Sequence, residues 1–157
     1  MSNRTGQQGE YAFGDIIMRR FDRNTDYFDP RSLGEKKPTT DYYIELIGCR
    51  EFTPYFFVQV KATRRGGNNI PVNLSHDDIR KIRSYPGPIY LVGIHLTAQT
   101  ATGYLLAVDR HTRGRISSIP KTFPINAENT AILYREVQAY WRKSHDRRKI
   151  KKSVFSR

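Results

Sequence analysis

The chain has 157 residues, of which 38% are hydrophobic and 12% aromatic, which suits one folded domain and excludes a disordered chain. Lysine and arginine number 27 against 15 aspartate and glutamate residues, and the net charge of +12 favours polyanionic partners such as nucleic acids. Cys49 is the single cysteine, which excludes an internal disulfide. Residues 1–10 are polar, and no apolar run approaches the roughly 18 residues of a membrane span, so we expect a cytoplasmic protein without a signal peptide or membrane contact.

The first predicted element is an amphipathic helix over residues 6–22. Phe13, Ile17 and Phe21 recur at helical spacing and form its apolar stripe. Gly14 beside this stripe predicts a close approach of the helix to a sheet, because glycine costs about 1 kcal/mol in a helix interior.

Segments rich in aromatic and β-branched residues predict four strands, at 41–48, 55–63, 89–96 and 103–109. Segments rich in turn formers predict irregular connections, at 24–40, 64–69 and 111–124. Two further helices are predicted, one capped by Ser75 and ending before Pro86, the other capped by Asn126. The order predicts a mixed α/β domain over residues 1–145, followed by a basic tail over 146–157.

The first two strands are joined by a short link and predict an antiparallel hairpin. With the turn centred near Glu51, Asp41 would face Lys61, Tyr43 would face Gln59 and Glu45 would face Phe57. One face of this hairpin is almost wholly apolar and predicts core. The other face would gather its polar side chains at the open end of the hairpin, namely Asp41, Glu45, Gln59 and Lys61.

Glu10 lies on the same helical stripe as Phe13 and Ile17, so its carboxylate is predicted to face inward. A carboxylate on a core-facing stripe is costly unless it has a partner. The polar end of the hairpin could supply that partner.

These residues resemble the motifs of the PD-(D/E)XK nuclease superfamily. More closely, they resemble a branch of small bacterial domains of unknown function whose third motif reads Q-x-K. The matching motifs are Gly9-Glu10 in the first helix, Asp41 opening a strand, and Gln59-Val60-Lys61 on the next strand. The order of the later elements also agrees, so the resemblance spans roughly residues 7–142. It implies a restriction-endonuclease-like fold, a mixed β-sheet flanked by helices, and a setting in bacterial defence or mobile elements.

The resemblance also implies a role for each residue of a Mg²⁺ or Mn²⁺ site. Asp41 would bind the metal directly, the Gln59 side-chain oxygen and the Val60 carbonyl would be neutral ligands, and Glu10 would bind through water. Lys61 would orient the attacking water or stabilise the pentacovalent phosphate. The same residues also admit a purely structural interpretation, in which Asp41 and Lys61 form a cross-strand ion pair and Gln59 is hydrogen-bonded.

Basic residues near this hairpin and at the end of the chain are candidates for phosphate contacts. Arg64 and Arg65 follow the Q-x-K strand directly. Segment 142–157 holds eight basic residues and one acid, and could be either a phosphate-binding arm or a solvated helix end. Its candidate nucleic-acid contacts are Arg147, Arg148, Lys149, Lys151 and Lys152.

The sequence therefore predicts a Mg²⁺-dependent endonuclease that hydrolyses phosphodiester bonds, with DNA as the first candidate substrate. Two alternatives remain open: a nucleic-acid-binding module without catalysis, and a protein-interaction subunit that keeps the fold. The oligomeric state is also open, with a homodimer or a partner subunit both compatible with the sequence.

Overall fold

The computed structural model describes residues 3–34, 40–143 and 152–156. Three helices and seven strands lie in these residues, in the order α1 (Asn3–Ile17), β1 (Phe28–Ser32), β2 (Tyr42–Leu46), β3 (Tyr55–Thr63), β4 (Asn69–Leu74), α2 (His76–Arg83), β5 (Ile89–Leu96), β6 (Ala101–Val108), β7 (Ile116–Pro120) and α3 (Ala127–Arg142). Five strands form a mixed sheet in the order β1-β2-β3-β5-β6, and β4 pairs with β7 in a separate two-stranded sheet. The predicted mixed α/β single domain is confirmed.

The main sheet is buried on both faces. Helices α1 and α3 cover one face, and α2 with the β4–β7 sheet covers the other. Strand β5 runs parallel to β3, and its side chains alternate between the two cores: Tyr90 and Val92 face the first, while Ile89 and Leu91 face the second. The continuous apolar sequence of this strand is thus explained by its central position, as predicted.

The helix boundaries agree with the sequence at α2 and α3. Ser75 caps α2 with a reciprocal bond to Asp78, and Asn126 caps α3 through its side chain. Helix α1 ends at Ile17 and not at residue 22, so the predicted length was wrong. Phe21 has a φ of 47°, which no α-helix accommodates, although its ring still packs against the core.

Strands β1 and β7 lie where irregular connections were predicted, β4 covers residues for which no strand was predicted, and each of the three contains a proline. Strand β1 is an edge strand with Pro30, β4 is irregular from Pro71, and β7 ends at Pro120. Proline removes a backbone donor and is tolerated at edges and bulges, so its presence concealed these strands from composition.

The hairpin of β2 and β3 is confirmed, but its register is displaced by two residues. Tyr43 faces Phe57 and Glu45 faces Tyr55, because the ladder closes with a bond from Leu46 N to Pro54 O. A displacement of two residues keeps every side chain on its predicted face, since side chains alternate with a period of two.

Candidate active site at the open end of the β2–β3 pair

The candidate site begins where β2 separates from β3. The last pair of this ladder is Tyr42 with Val58, and Asp41 N still donates to Val58 O at 2.9 Å. One step further, the Asp41 side chain takes over from the backbone: its Oδ2 accepts a hydrogen bond of 2.6 Å from Val60 N. The carboxylate therefore occupies the position of a neighbouring strand's carbonyl and is fixed against β3.

Gln59 is opposite Asp41 when the observed register is continued by one residue, so the predicted pairing of Asp41 with Lys61 is wrong. The Gln59 side chain is only 7% exposed, and its Oε1 is buried without a hydrogen-bond partner in the described part of the chain. An unpaired buried acceptor costs roughly 1–3 kcal/mol. Such an atom calls for a ligand, a water molecule or an ion.

The Val60 carbonyl points to the same opening. Phe57 N donates to Pro88 O at the start of β5, so odd-numbered residues of β3 direct their backbone groups towards β5. Even-numbered residues direct theirs towards β2, as Val60 N does in its bond to Asp41. The Val60 carbonyl therefore lies on the β2 side, beyond the last paired residue of β2.

Helix α1 brings Glu10 to this end of the sheet. A Cβ at Gly9 would collide with Ala62 Cβ on β3, so glycine is what allows this close approach. The Tyr42 hydroxyl donates to the Glu10 carbonyl at 2.8 Å. Burial raises the pKa of Tyr42, and the charges of Glu10 and Asp41 raise this pKa further, which places both carboxylates within electrostatic reach of one phenol.

The predicted close approach at Gly14 is also confirmed, since a Cβ there would lie 2.9 Å from the Tyr42 hydroxyl oxygen. Tyr42 therefore joins β2 to α1 through its hydroxyl, a role that was not predicted from the sequence. A buried tyrosine needs a partner for its hydroxyl, and this was the signal available in the sequence.

The electrostatics of Asp41 are dominated by its burial. Burial raises the pKa of the Asp41 carboxyl, while the Val60 N–H bond and the charge of Lys61 act in the opposite direction. Lys61 also acts on Asp78 at the start of α2, whose pKa is lowered mainly by hydrogen bonds from Ser75. Lys61 forms no ion pair with Asp41 within 4.0 Å, so the ion pair of the structural interpretation is absent between these two described residues.

Glu45 does not belong to the site. It lies four residues along the chain from Asp41, about 13 Å away in an extended strand. It accepts a hydrogen bond from the Tyr43 hydroxyl at 3.1 Å and lies 3.9 Å from Arg31 on β1. Its predicted place at the open end of the hairpin was wrong, because the alternation fixes the face of a side chain and not its distance along the strand.

The two arginines after β3 are exposed and close to α1. Arg64 donates to the Gln8 side chain, and Arg65 N donates to Thr63 Oγ1 at 3.1 Å. The Arg64 side chain therefore contacts α1 one turn or less from Glu10, at the end of β3 that carries Gln59 and Lys61.

The end of the chain returns to the domain. Of the predicted tail contacts, Arg147, Arg148, Lys149 and Lys151 lie outside the described residues, and Lys152 is exposed. Phe155 is fully buried in the core beside Tyr90 and Phe123, and its carbonyl accepts from Ala107 N at 3.0 Å. The division at residue 145 stays a prediction, but segment 152–156 is packed against the fold.

The donor set at this opening suits a hard cation. Two carboxylates, an unpaired amide oxygen and a main-chain carbonyl offer only oxygen, as Mg²⁺ and Mn²⁺ prefer. Within residues 3–34, 40–143 and 152–156, no cluster of three or more histidine, cysteine, aspartate or glutamate side chains could hold a metal. Within the same ranges, no helix is both long and apolar enough to cross a bilayer.

Comparisons with known family models, curated proteins and solved structures gave no match to this chain.

Proposed function

We propose that this chain is a divalent-metal-dependent nuclease of restriction-endonuclease-like fold that hydrolyses phosphodiester bonds at the opening between β2 and β3. The observation that carries the proposal is the buried, unpaired Oε1 of Gln59 directly across from a half-buried aspartate. A buried acceptor without a donor is unfavourable, and a cation bound beside the aspartate would satisfy it.

The position of each residue supports the role that the family resemblance assigns to it. Asp41 is held by Val60 N, so its second oxygen is presented in a fixed direction. Gln59 and the Val60 carbonyl add neutral oxygens, and Glu10 approaches from α1 on the other face of the sheet. When bound, Mg²⁺ would lower the pKa of a coordinated water and neutralise charge on the phosphate.

Lys61 supplies the remaining chemistry. It lies on the same face as Gln59, and it has no hydrogen-bond or ion-pair partner among the described residues. Its ammonium is therefore available to orient a water molecule or to stabilise charge that develops on a phosphate oxygen. The placement of this nuclease in bacterial defence or mobile elements rests on the family resemblance alone.

A nucleic-acid-binding module without catalysis is the second candidate. It is favoured by Gln59, which stands where the commoner motif of the resembling superfamily has an acid. The opening therefore has two carboxylates, Glu10 and Asp41. The net charge of +12 fits both candidates equally.

The test is DNA cleavage by the purified protein, with a supercoiled plasmid and a single-stranded circular DNA as separate substrates. We expect cleavage with Mg²⁺ or Mn²⁺ that stops when a chelator is added and is absent in Asp41→Ala. Binding of both substrates without cleavage of either, across both metals, would favour the binding module and reject the nuclease.

A further inference from the structure

A second recess lies beside α2, outside the proposed metal site. It is a groove of about 680 Å³ between the end of α2, the turn that follows it and the β6–β7 loop. Its lining includes the aromatic or imidazole rings of Tyr85, His111 and Tyr140 and the guanidinium groups of Arg80, Arg83 and Arg110. Arg80 is ion-paired with Asp77 at 3.1 Å.

The groove carries a net positive charge. Arg83 donates to the main-chain carbonyls of Arg110 and Thr112 at 3.3 and 3.4 Å, so neutral groups hold its guanidinium and its charge is not cancelled. Asp109 is the one carboxylate among the described lining residues. It accepts hydrogen bonds from His111 N at 2.8 Å and from Ser156 Oγ at 2.9 Å, which occupy it within the fold.

Tyr85 connects this groove to the metal-site opening. Its ring lines the groove and lies 5.0 Å from the ring of Phe57, and its hydroxyl accepts from Thr40 Oγ1 at 3.0 Å. Thr40 is fully buried and directly precedes Asp41. One tyrosine side chain therefore spans the distance between the groove and the residue that precedes Asp41.

We infer that this groove binds a single strand of nucleic acid and leads it to the β2–β3 opening. This inference names the substrate class of the proposed nuclease. Binding in the groove does not depend on the proposed nuclease activity, whereas cleavage of the bound strand does. Arginines would contact the phosphates, while Tyr85 and Tyr140 are partly exposed and could stack on bases. A groove of this size accepts a few unpaired nucleotides, whereas the bases of a duplex are paired and cannot turn towards the tyrosines.

Fluorescence anisotropy measures the binding of a labelled 15-nucleotide strand and, separately, of a duplex of the same sequence. A chelator is present throughout, so that no cleavage occurs. We expect the single strand to bind more tightly than the duplex.

Arg83→Gln and Arg110→Gln should each lower the log–log salt slope of strand binding by about 0.7 for every phosphate that the arginine neutralises in the wild type. Tyr140→Leu, which changes no charge, should weaken binding roughly 5- to 150-fold, the range of one base–aromatic stack. Arg19→Gln is the control, because Arg19 follows α1, lies away from the groove and undergoes the same charge change.

Equal loss of affinity in the Arg19 control and the groove variants would overturn the inference, and so would tighter binding of duplex. Groove-dependent binding without cleavage would reject the nuclease and keep the groove. Cleavage that groove variants leave unchanged would reject the groove and keep the nuclease.

Discussion

Two half-buried carboxylates, Asp41 and Glu136, differ in how completely their surroundings satisfy them. Burial is the main cause of a raised pKa in both. Glu136 on α3 accepts from the Tyr90 hydroxyl at 3.1 Å through one oxygen and from Val154 N at 2.9 Å through the other. Asp41 accepts one main-chain bond, and the acceptor opposite it, Gln59 Oε1, has no partner among the described residues.

The difference separates a structural cluster from a candidate site. Around Glu136, donors and acceptors match within the chain, and the cluster fastens segment 152–156 to the core. At the β2–β3 opening, one buried oxygen acceptor lacks a donor among the described residues, and a cation would complete this arrangement. The experiments below test this contrast, from the largest expected effect to the smallest.

The largest effect is expected on cleavage. Asp41→Ala and Lys61→Ala should each reduce plasmid cleavage at least about a hundredfold, the scale of losing one charge-stabilising group. Glu45→Ala is the matched control, because Glu45 is a half-buried carboxylate towards the loop end of β2, away from the opening. Cleavage at the wild-type rate in both Asp41→Ala and Lys61→Ala would show that the site lies elsewhere.

At the structural cluster the expected effect is on stability. Phe155→Ala should lower the free energy of unfolding by about 3–5 kcal/mol, because the ring is fully buried. Val154→Ala, at a side chain that is 55% exposed, should change it little. Denaturant unfolding of both variants checks this; if the two are equally stable, segment 152–156 is a dispensable tail.

Substitution of Gln59 distinguishes a ligand from a structural amide. Gln59→Met removes the unpaired oxygen and should raise metal-free stability by about 1 kcal/mol while abolishing metal binding. Gln59→Glu adds a charge that should tighten metal binding, measured by calorimetry, and retain part of the cleavage. Should Gln59→Glu be destabilised without rescue by Mg²⁺, Gln59 is a structural residue.

A smaller effect is expected on the pH dependence of stability. The folded pKa of Asp41 lies above its ordinary value of 3.8, so its favourable contribution is complete below pH 3.8 and is lost as the pH rises through the folded value. Asp41→Asn should therefore be slightly more stable than wild type at pH 7 and equal to it near pH 3. Its side-chain oxygen can still accept from Val60 N.

Glu136→Gln, in contrast, should be less stable than the wild type. The folded pKa of Glu136 is also raised, but a glutamine would turn an amide N–H towards the Tyr90 hydroxyl or Val154 N and lose one bond. Thermal melts at pH 3, 5 and 7 measure both variants. If the two variants changed the melting temperature equally at each pH, the contrast between the Asp41 opening and the Glu136 cluster would be lost.

The smallest effect concerns the basic residues near the chain end. Arg147→Gln and Arg148→Gln should each lower the log–log salt slope of duplex binding by about 0.9 if each contacts one phosphate. Arg20→Gln is the control, since Arg20 is paired with Asp26 at 2.7 Å. If the salt slope of duplex binding is unchanged in both variants, Arg147 and Arg148 do not contact phosphates.

The core elements could be predicted because local patterns determine them. Strands β3 and β5 are long and apolar, and the caps Ser75 and Asn126 mark their helices. The prolines concealed β1, β4 and β7, whose pairing depends on distant partners. Predicted strand faces were right, since alternation sets them, whereas the register was displaced by two because loop geometry sets it.

The site residues were found by motif, but their arrangement was not. The sequence could not show that Asp41 bonds to Val60 N, that Glu45 lies far along the strand, or that Gln59 Oε1 is unpaired. Each of these depends on the register and on the point where β2 separates from β3. The groove beside α2 was also missed, because its arginines are scattered over separate segments of the chain.

Calorimetric titration of the metal-free protein with Mn²⁺ tests the central claim most directly. The structure leads us to expect one binding site per chain in the wild type, lost in Asp41→Asn and kept in Glu136→Gln, since only the first carboxylate faces an unpaired acceptor. The account is contradicted if the wild type binds no metal, or if the two variants bind it equally well.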